Sequence, residues 1–168
     1  MLMHGEYRMT GTGPAVVGQA LAALELEEIE TRFGRVAVNA REPIFFPSGM
    51  LGMPASHRYC LTHFPTEKME RFKLLQSLDD TTLSFITLPV DLNNPIIERA
   101  DLELAARDMG FPLEDVAILL VVSVHREPMG VRISVNARAP VLMQVSRRTA
   151  AQYVFANTKY LIRQPLSM

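Results

Sequence analysis

The chain of 168 residues has about the length of one domain, and a core of that size buries roughly two-thirds of the unfolded surface. Apolar residues make up 48% and charged residues 21%, a balance that excludes wholesale disorder. The net charge of −1 hides an asymmetry: residues 126–168 carry seven Lys/Arg against one Asp/Glu, and residues 1–125 carry ten against seventeen.

The longest apolar run, Val116 to Val124, is about half of what a bilayer-spanning helix needs. The start lacks the charged region, apolar region and cleavage site of a secretory signal. Cys60, alone in the chain, has no intrachain disulfide partner, so the expectation is a reducing, cytoplasmic setting.

Residues 1–28 read as an N-terminal tail or short helix. Residues 1–14 have no sustained periodicity, and Ala15 to Leu26 places Val17, Leu21 and Leu24 on one helical side. Glu25, Glu27, Glu28 and Glu30 form an acidic run, either a solvated face or a docking surface for a basic partner. From Ile29 the pattern turns β, and residues 29–168 read as the folded domain. Thr31 to Gly34 suits a hairpin turn, with Val36 and Val38 on one face of the return strand.

Ile44-Phe45-Phe46 is an apolar segment bracketed by prolines, and Ser48 to Gly52 is a loop without the lysine of a phosphate cradle. His57 to Phe64 alternates as a strand, pointing His57, Tyr59, Leu61 and His63 one way and Arg58, Cys60 and Thr62 the other. That separates Cys60 from the histidines, and it sets His57 and His63 roughly 20 Å apart. Neither a thiolate–imidazole pair nor a shared metal fits.

Arg71 to Leu78 predicts a strand with Phe72, Leu74 and Gln76 on one face. Asp79-Asp80-Thr81-Thr82 supplies turn chemistry, because Asp and Thr side chains accept from nearby backbone N–H groups. Leu83 to Leu88 is the return strand, ended by Pro89. Ala100 to Met109 predicts a helix starting near Asp101 and capped by Gly110. Val116 to His125 reads as a central buried strand. Val131 to Arg163 then gives three or four short strands. Val131, Ile133 and Val135 alternate, Pro140 marks a strand start, and Val141, Met143 and Val145 resume. Ser146 to Thr149 reads as a turn, with a further strand over Gln152 to Ala156.

Eight to eleven short strands with one clear helix and no βαβ rhythm predict a small, mainly β, antiparallel barrel-like domain with one or two short helices. No Walker lysine, HExxH, paired CxxC or G-x-S-x-G appears, and the four histidines are scattered. The reading is a binding protein, without cofactor or metal.

Two blocks of sequence give that reading a family. Asn136, Arg138, Ala139 and Pro140, followed by an apolar strand, a basic turn, Gln152 and Tyr160, resemble the C-terminal signature of the FliW flagellar assembly factors. Leu75-Gln76-Ser77-Leu78-Asp79-Asp80, followed by Leu83, Phe85 and Pro89, resembles the same family's central signature. The resemblance covers about residues 29 to 165. Leu74, Ala137, Gln144 and Met53 depart from the residues usual in the family.

The resemblance implies a cytoplasmic β-barrel-like protein that binds flagellin and antagonises CsrA, a small dimeric RNA-binding repressor of flagellin translation. No direct contact with nucleic acid or membrane is implied. The candidate partner-binding residues are Gln76, Asp79, Asp80, Asn136, Arg138 and Pro140, with Glu27 and Glu28 as further acidic candidates. For Gln76, Asn136 and Pro140 the competing reading is internal turn and hydrogen-bond structure. Two other functions stay open at this point. One is RNA binding through the basic C-terminal quarter, which requires a continuous positive face. The other is a small hydrolase using Cys60 or Asp79, which requires a histidine beside one of them.

Overall fold

Val116–Glu127 is the longest strand, and its neighbours define the architecture. The computed structural model describes residues 26–167; the expected N-terminal tail and helix lie outside them except for Leu26, Glu27 and Glu28, and the last two begin the first strand. The described residues form eleven strands and one α-helix. In chain order the first strands are β1 (Glu27–Thr31), β2 (Gly34–Val38), β3 (Ile44–Phe45), β4 (Arg58–Thr62), β5 (Lys73–Ser77) and β6 (Ser84–Val90). Helix α1 (Arg99–Asp108) follows, then β7 (Val116–Glu127), β8 (Gly130–Val135), β9 (Val141–Gln144), β10 (Thr149–Gln152) and β11 (Gln164–Pro165).

Strand β7 pairs with β6 through residues 118–121, with β9 through residues 116–119 and with β8 through residues 122–127. The β9 pairing closes a partial ring, β7–β6–β5–β4–β3–β10–β9, from which β8 and β11 extend. All neighbours are antiparallel except β3 and β10, joined at the single pair Phe45 and Thr149. Arg148 supports this weakest seam. Its backbone sits at φ +49°, its carbonyl accepts from Phe45 N–H at 2.7 Å, and its guanidinium donates to the carbonyls of Glu42 and Pro43.

Alternation sorts the side chains cleanly. Ile44, Phe46, Tyr59, Leu75, Leu119, Val141 and Ala150 pack inside the ring. The outer face is covered in two places. The β1–β2 hairpin seals Val36 and Val38 against Cys60 and Leu74. Helix α1 lays Leu102, Ala105 and Ala106 on Leu88, Ile118, Leu120 and Leu142. The expected facing of Tyr59 and Leu61 away from Cys60 is what the structure shows.

Four expectations need adjusting. Pro89 does not end β6; it pairs in register with Leu119 beyond the last β5 partner, where only one neighbouring strand remains. Asp101 does not cap α1. Glu98 holds the N-cap position without a side-chain bond, and Asp101 accepts from Tyr160 instead. At the other end Gly110, at φ +70°, closes a full C-terminal cap, with Gly110 N–H on Arg107 and Phe111 N–H on Ala106. The last part of β7 is not buried: Val124 is 46% exposed, because that end leaves the ring to pair with β8. The strand expected over Gln152 to Ala156 ends at Gln152, as β10.

The Ser48–Gly52 loop has one glycine that the fold requires. Gly49 lies at φ +67°, and a Cβ there would fall 2.3 Å from the Met53 carbonyl oxygen. Gly52, at φ +81°, has open space around it. Gly49→Ala is therefore expected to cost clearly more than the about 1–2 kcal/mol of left-handed strain expected for Gly52→Ala. Thermal denaturation of both variants checks the order; equal melting temperatures contradict it.

Candidate interaction surface

The Leu75–Asp80 block resolves residue by residue into the turn that joins β5 to β6. Leu75 points into the ring. Gln76 is fully buried on the outer face, and its amide nitrogen donates within a cradle of three carbonyls: Ser77 at 2.9 Å, Thr81 at 3.1 Å and Leu83 at 3.1 Å. Ser77 Oγ accepts from the N–H groups of Asp79 and Asp80, at 3.1 and 3.0 Å. With both acceptor positions taken, its proton goes to Ser56 Oγ, 2.7 Å away. Leu78 packs under the β1–β2 hairpin.

Asp79 fastens this turn to the start of β4. Its carboxylate accepts from His57 N–H at 2.7 Å, Arg58 N–H at 2.8 Å and Arg58 Nε at 2.7 Å. These backbone and guanidinium donors hold its pKa at about 2, below the usual 3.8. Asp80 closes its own turn, accepting from Thr82 N–H at 2.9 Å and Thr82 Oγ1 at 2.6 Å, and those bonds lower its pKa. Both residues are exposed, but among the described residues only Asp79 has a cation against it.

The acidic hairpin packs on the outer face of β4 and β5. Arg32, in the β1–β2 turn, donates to the Ser84 carbonyl at 3.0 Å, and Ile29 packs in the cluster that holds Leu78. Glu28 and Glu30 therefore point outward. Glu30 pairs with Arg35 at 3.2 Å, while Glu28 stands opposite Ala37. Strand β1 pairs only with β2, so its second edge is open among the described residues.

The Asn136–Pro140 block links β8 to β9. Asn136 Oδ1 accepts from Ala139 N–H at 3.0 Å, and Asn136 N–H donates to Val121 at 2.8 Å. Ala137 and Pro140 are buried, and the Pro140 carbonyl accepts from Tyr153 N–H at 2.9 Å. Gln152 bridges this block to the glycine loop, donating to Ala139 at 3.1 Å and accepting from Leu51 N–H at 2.8 Å. Arg138 alone turns its side chain to a surface groove. Of the six candidates, Gln76, Asn136 and Pro140 thus serve the interior, Asp79 is half spent on structure, and Asp80 and Arg138 face outward. The latter two lie in different places: Asp80 in the β5–β6 turn, Arg138 beside the loop before β11.

The family-level comparison now has a structure to stand on. Residues 27–166 match the family model described as FliW protein. The chain belongs to the FliW family. The flagellar assembly factor FliW of Syntrophus aciditrophicus is 30% identical over 135 residues, covering 79% of this chain and 82% of that one. The FliW of Clostridium beijerinckii is 28% identical over 142 residues, covering 79% and 92%. A crystal structure of the flagellar assembly factor FliW superposes with a TM-score of 0.60 at 20% identity, covering 83% of this chain and 96% of that one. At that identity the likeness speaks for the fold.

In FliW terms, the most recognisable signature residues are therefore those that lock turns. Sequence reading did not find Ser56, whose hydroxyl completes the Ser77 hub, nor the surface pair Leu161 and Ile162, 51% and 64% exposed. Two large apolar residues in a polar stretch were the available signal for the second.

Asp79 carries a pH prediction. Its folded pKa is depressed, so its contribution is present above the unfolded value and lost as pH falls through the folded one. Stability should decline as pH drops from about 4 towards about 2. Asp79→Asn should flatten that decline and cost about 2 kcal/mol at neutral pH through lost charged hydrogen bonds. Asp80→Asn, without a guanidinium partner, should cost less. Urea unfolding at several pH values checks both, and an unchanged acid limb in Asp79→Asn contradicts the assignment.

Proposed function

We propose that this FliW-family chain is a non-enzymatic, cytoplasmic flagellar assembly factor that binds flagellin and antagonises the translational repressor CsrA. The observation that carries the proposal is FliW family membership across the described fold, combined with exposed carboxylates on β1 and in the β5–β6 turn. A basic RNA-binding protein is the complementary partner for carboxylates such as Glu28 and Asp80, which steer its association. Flagellin, by contrast, has strand edges available to it, the open edge of β1 among them, by β-augmentation. Export of flagellin then frees the factor to hold CsrA, and flagellin synthesis resumes. Differential affinity suffices for such a switch.

The site chemistry supports binding rather than catalysis. Burial pushes the Cys60 thiol up to about 11, the opposite of what a nucleophilic thiolate needs. The Asp79 oxygens are occupied by the three donors described above. Direct RNA binding draws less support, because three of the seven basic residues of the C-terminal quarter are tied down. Arg132 pairs with Glu127, Lys159 with Glu98 and Asp101, and Arg148 turns inward to carbonyls. That leaves dispersed cations rather than a continuous face.

The test is size-exclusion chromatography and calorimetry of the purified chain against CsrA and flagellin from its own source. A stoichiometric complex with each is expected, each displaced by the other. Glu28→Arg combined with Asp80→Arg should weaken CsrA binding about tenfold and flatten its salt dependence. Flagellin binding without CsrA binding removes the translational role, and absence of both overturns the proposal.

A further inference from the structure

The loop from Asn157 to Arg163, between β10 and β11, is held firmly from within and apolar on its outside. Tyr160 is its anchor, 5% exposed, with its ring 4.9 Å from that of Phe155. The Tyr160 hydroxyl donates to Asp101 and accepts from Glu98 N–H at 3.1 Å, fixing the loop to the first turn of α1. The next carbonyl, that of Leu161, accepts from Ala137 N–H at 3.0 Å and Arg138 N–H at 3.2 Å. Backbone so fastened cannot fold the Leu161 and Ile162 side chains inward, and both stay exposed.

Leu161 and Ile162 line an open groove of about 730 Å³ together with Arg138, Thr158, Tyr160 and Arg163. Among the described residues neither Arg138 nor Arg163 has a side-chain hydrogen bond or ion pair, whereas the adjacent Lys159 is claimed by Glu98 and Asp101. An apolar floor with uncommitted guanidinium groups at its rim is complementary to apolar side chains flanked by carboxylates. Because the loop is already ordered, an occupant meets a surface whose ordering cost has been met in folding.

We infer that this groove docks a short acidic, apolar segment of another protein. The acidic strand of a second copy is a poorer occupant. The acidic strand β1 turns Ile29 inward onto its own cluster, so its outward face has no apolar side chain to place in the groove. The groove is also remote from Asp80. The β5–β6 turn abuts the start of β6 at Ser84, while Tyr160 and Lys159 meet its far end at Pro89 and Val90. Seven residues of strand separate those ends by roughly 20 Å. This inference goes beyond the CsrA reading and stands or falls separately from it.

The test is panning of a random peptide library displayed on phage against the full chain, followed by fluorescence-polarisation titration of the enriched peptides. Enriched sequences should combine Asp or Glu with Leu, Ile or Phe. Ile162→Asp should weaken them about tenfold or more. Arg138→Gln should weaken them about threefold. Asp80→Arg should leave them unchanged. Leu161→Ser serves as a second groove variant should Ile162→Asp alter the circular dichroism melt. Peptides without acidic bias, affinity in both groove variants unchanged from the parent chain, no enrichment, or a dimer that Ile162→Asp dissociates would each overturn the inference.

Discussion

One strand has to serve three neighbours, and the rest of the molecule follows from how β7 divides its edges. Its first half is shared by β6 on one side and β9 on the other, which closes the ring. Its second half has run past β9, so the same edge becomes free for β8. A shorter strand could do one of these but not both. The twelve residues of β7 therefore set both the partial barrel and the ribbon that leaves it. The ribbon in turn ends at Asn136, whose N–H returns to Val121 of β7 and starts the chain back towards β9.

Closure by so few strands leaves a thin seam, and the sequence strengthens it with side chains rather than more ladder. The β3–β10 contact is a single residue pair. Around it Arg148 donates to two carbonyls before β3, and Gln152 ties the glycine loop to Ala139. Asp79 does the same for the start of β4, where the chain emerges from that loop. These polar clips are long-range in sequence and local in space. They account for the polar residues Asp79, Arg148 and Gln152 at these turns.

That distinction also accounts for what could be read from the sequence. Alternation is local, so the facing of Tyr59 against Cys60 and of Val36 and Val38 towards the core was legible, as was the capping role of Gly110. Asp101 misled because its capping pattern is local while its partner, Tyr160, is 59 residues away. Pro89 misled because its effect depends on whether a second strand lies beside it, and β5 stops two residues short. For the candidate surface, chain order showed which residues were unusual but not their direction. Gln76 and Asp80 are four residues apart, yet one is fully buried on turn carbonyls and the other is exposed.

The exposed remainder is informative because the turn-locking residues have been accounted for. Once Gln76, Ser77, Asn136 and Pro140 are assigned to the interior and Asp79 to the β4 clip, two of the patches left exposed have opposite character. Glu28 and Asp80 lie beside the hairpin, and Arg138 with Arg163 frames Leu161 and Ile162 at the far end of β6. Neither patch contributes to holding the ring closed, so neither is explained by stability. Opposite charge at separate places on one sheet would direct the proposed basic partner and the proposed acidic one to different side chains. Any exclusion between two such partners then has to arise from their bulk or from the sheet that connects the patches, with β6 as the shortest path between them.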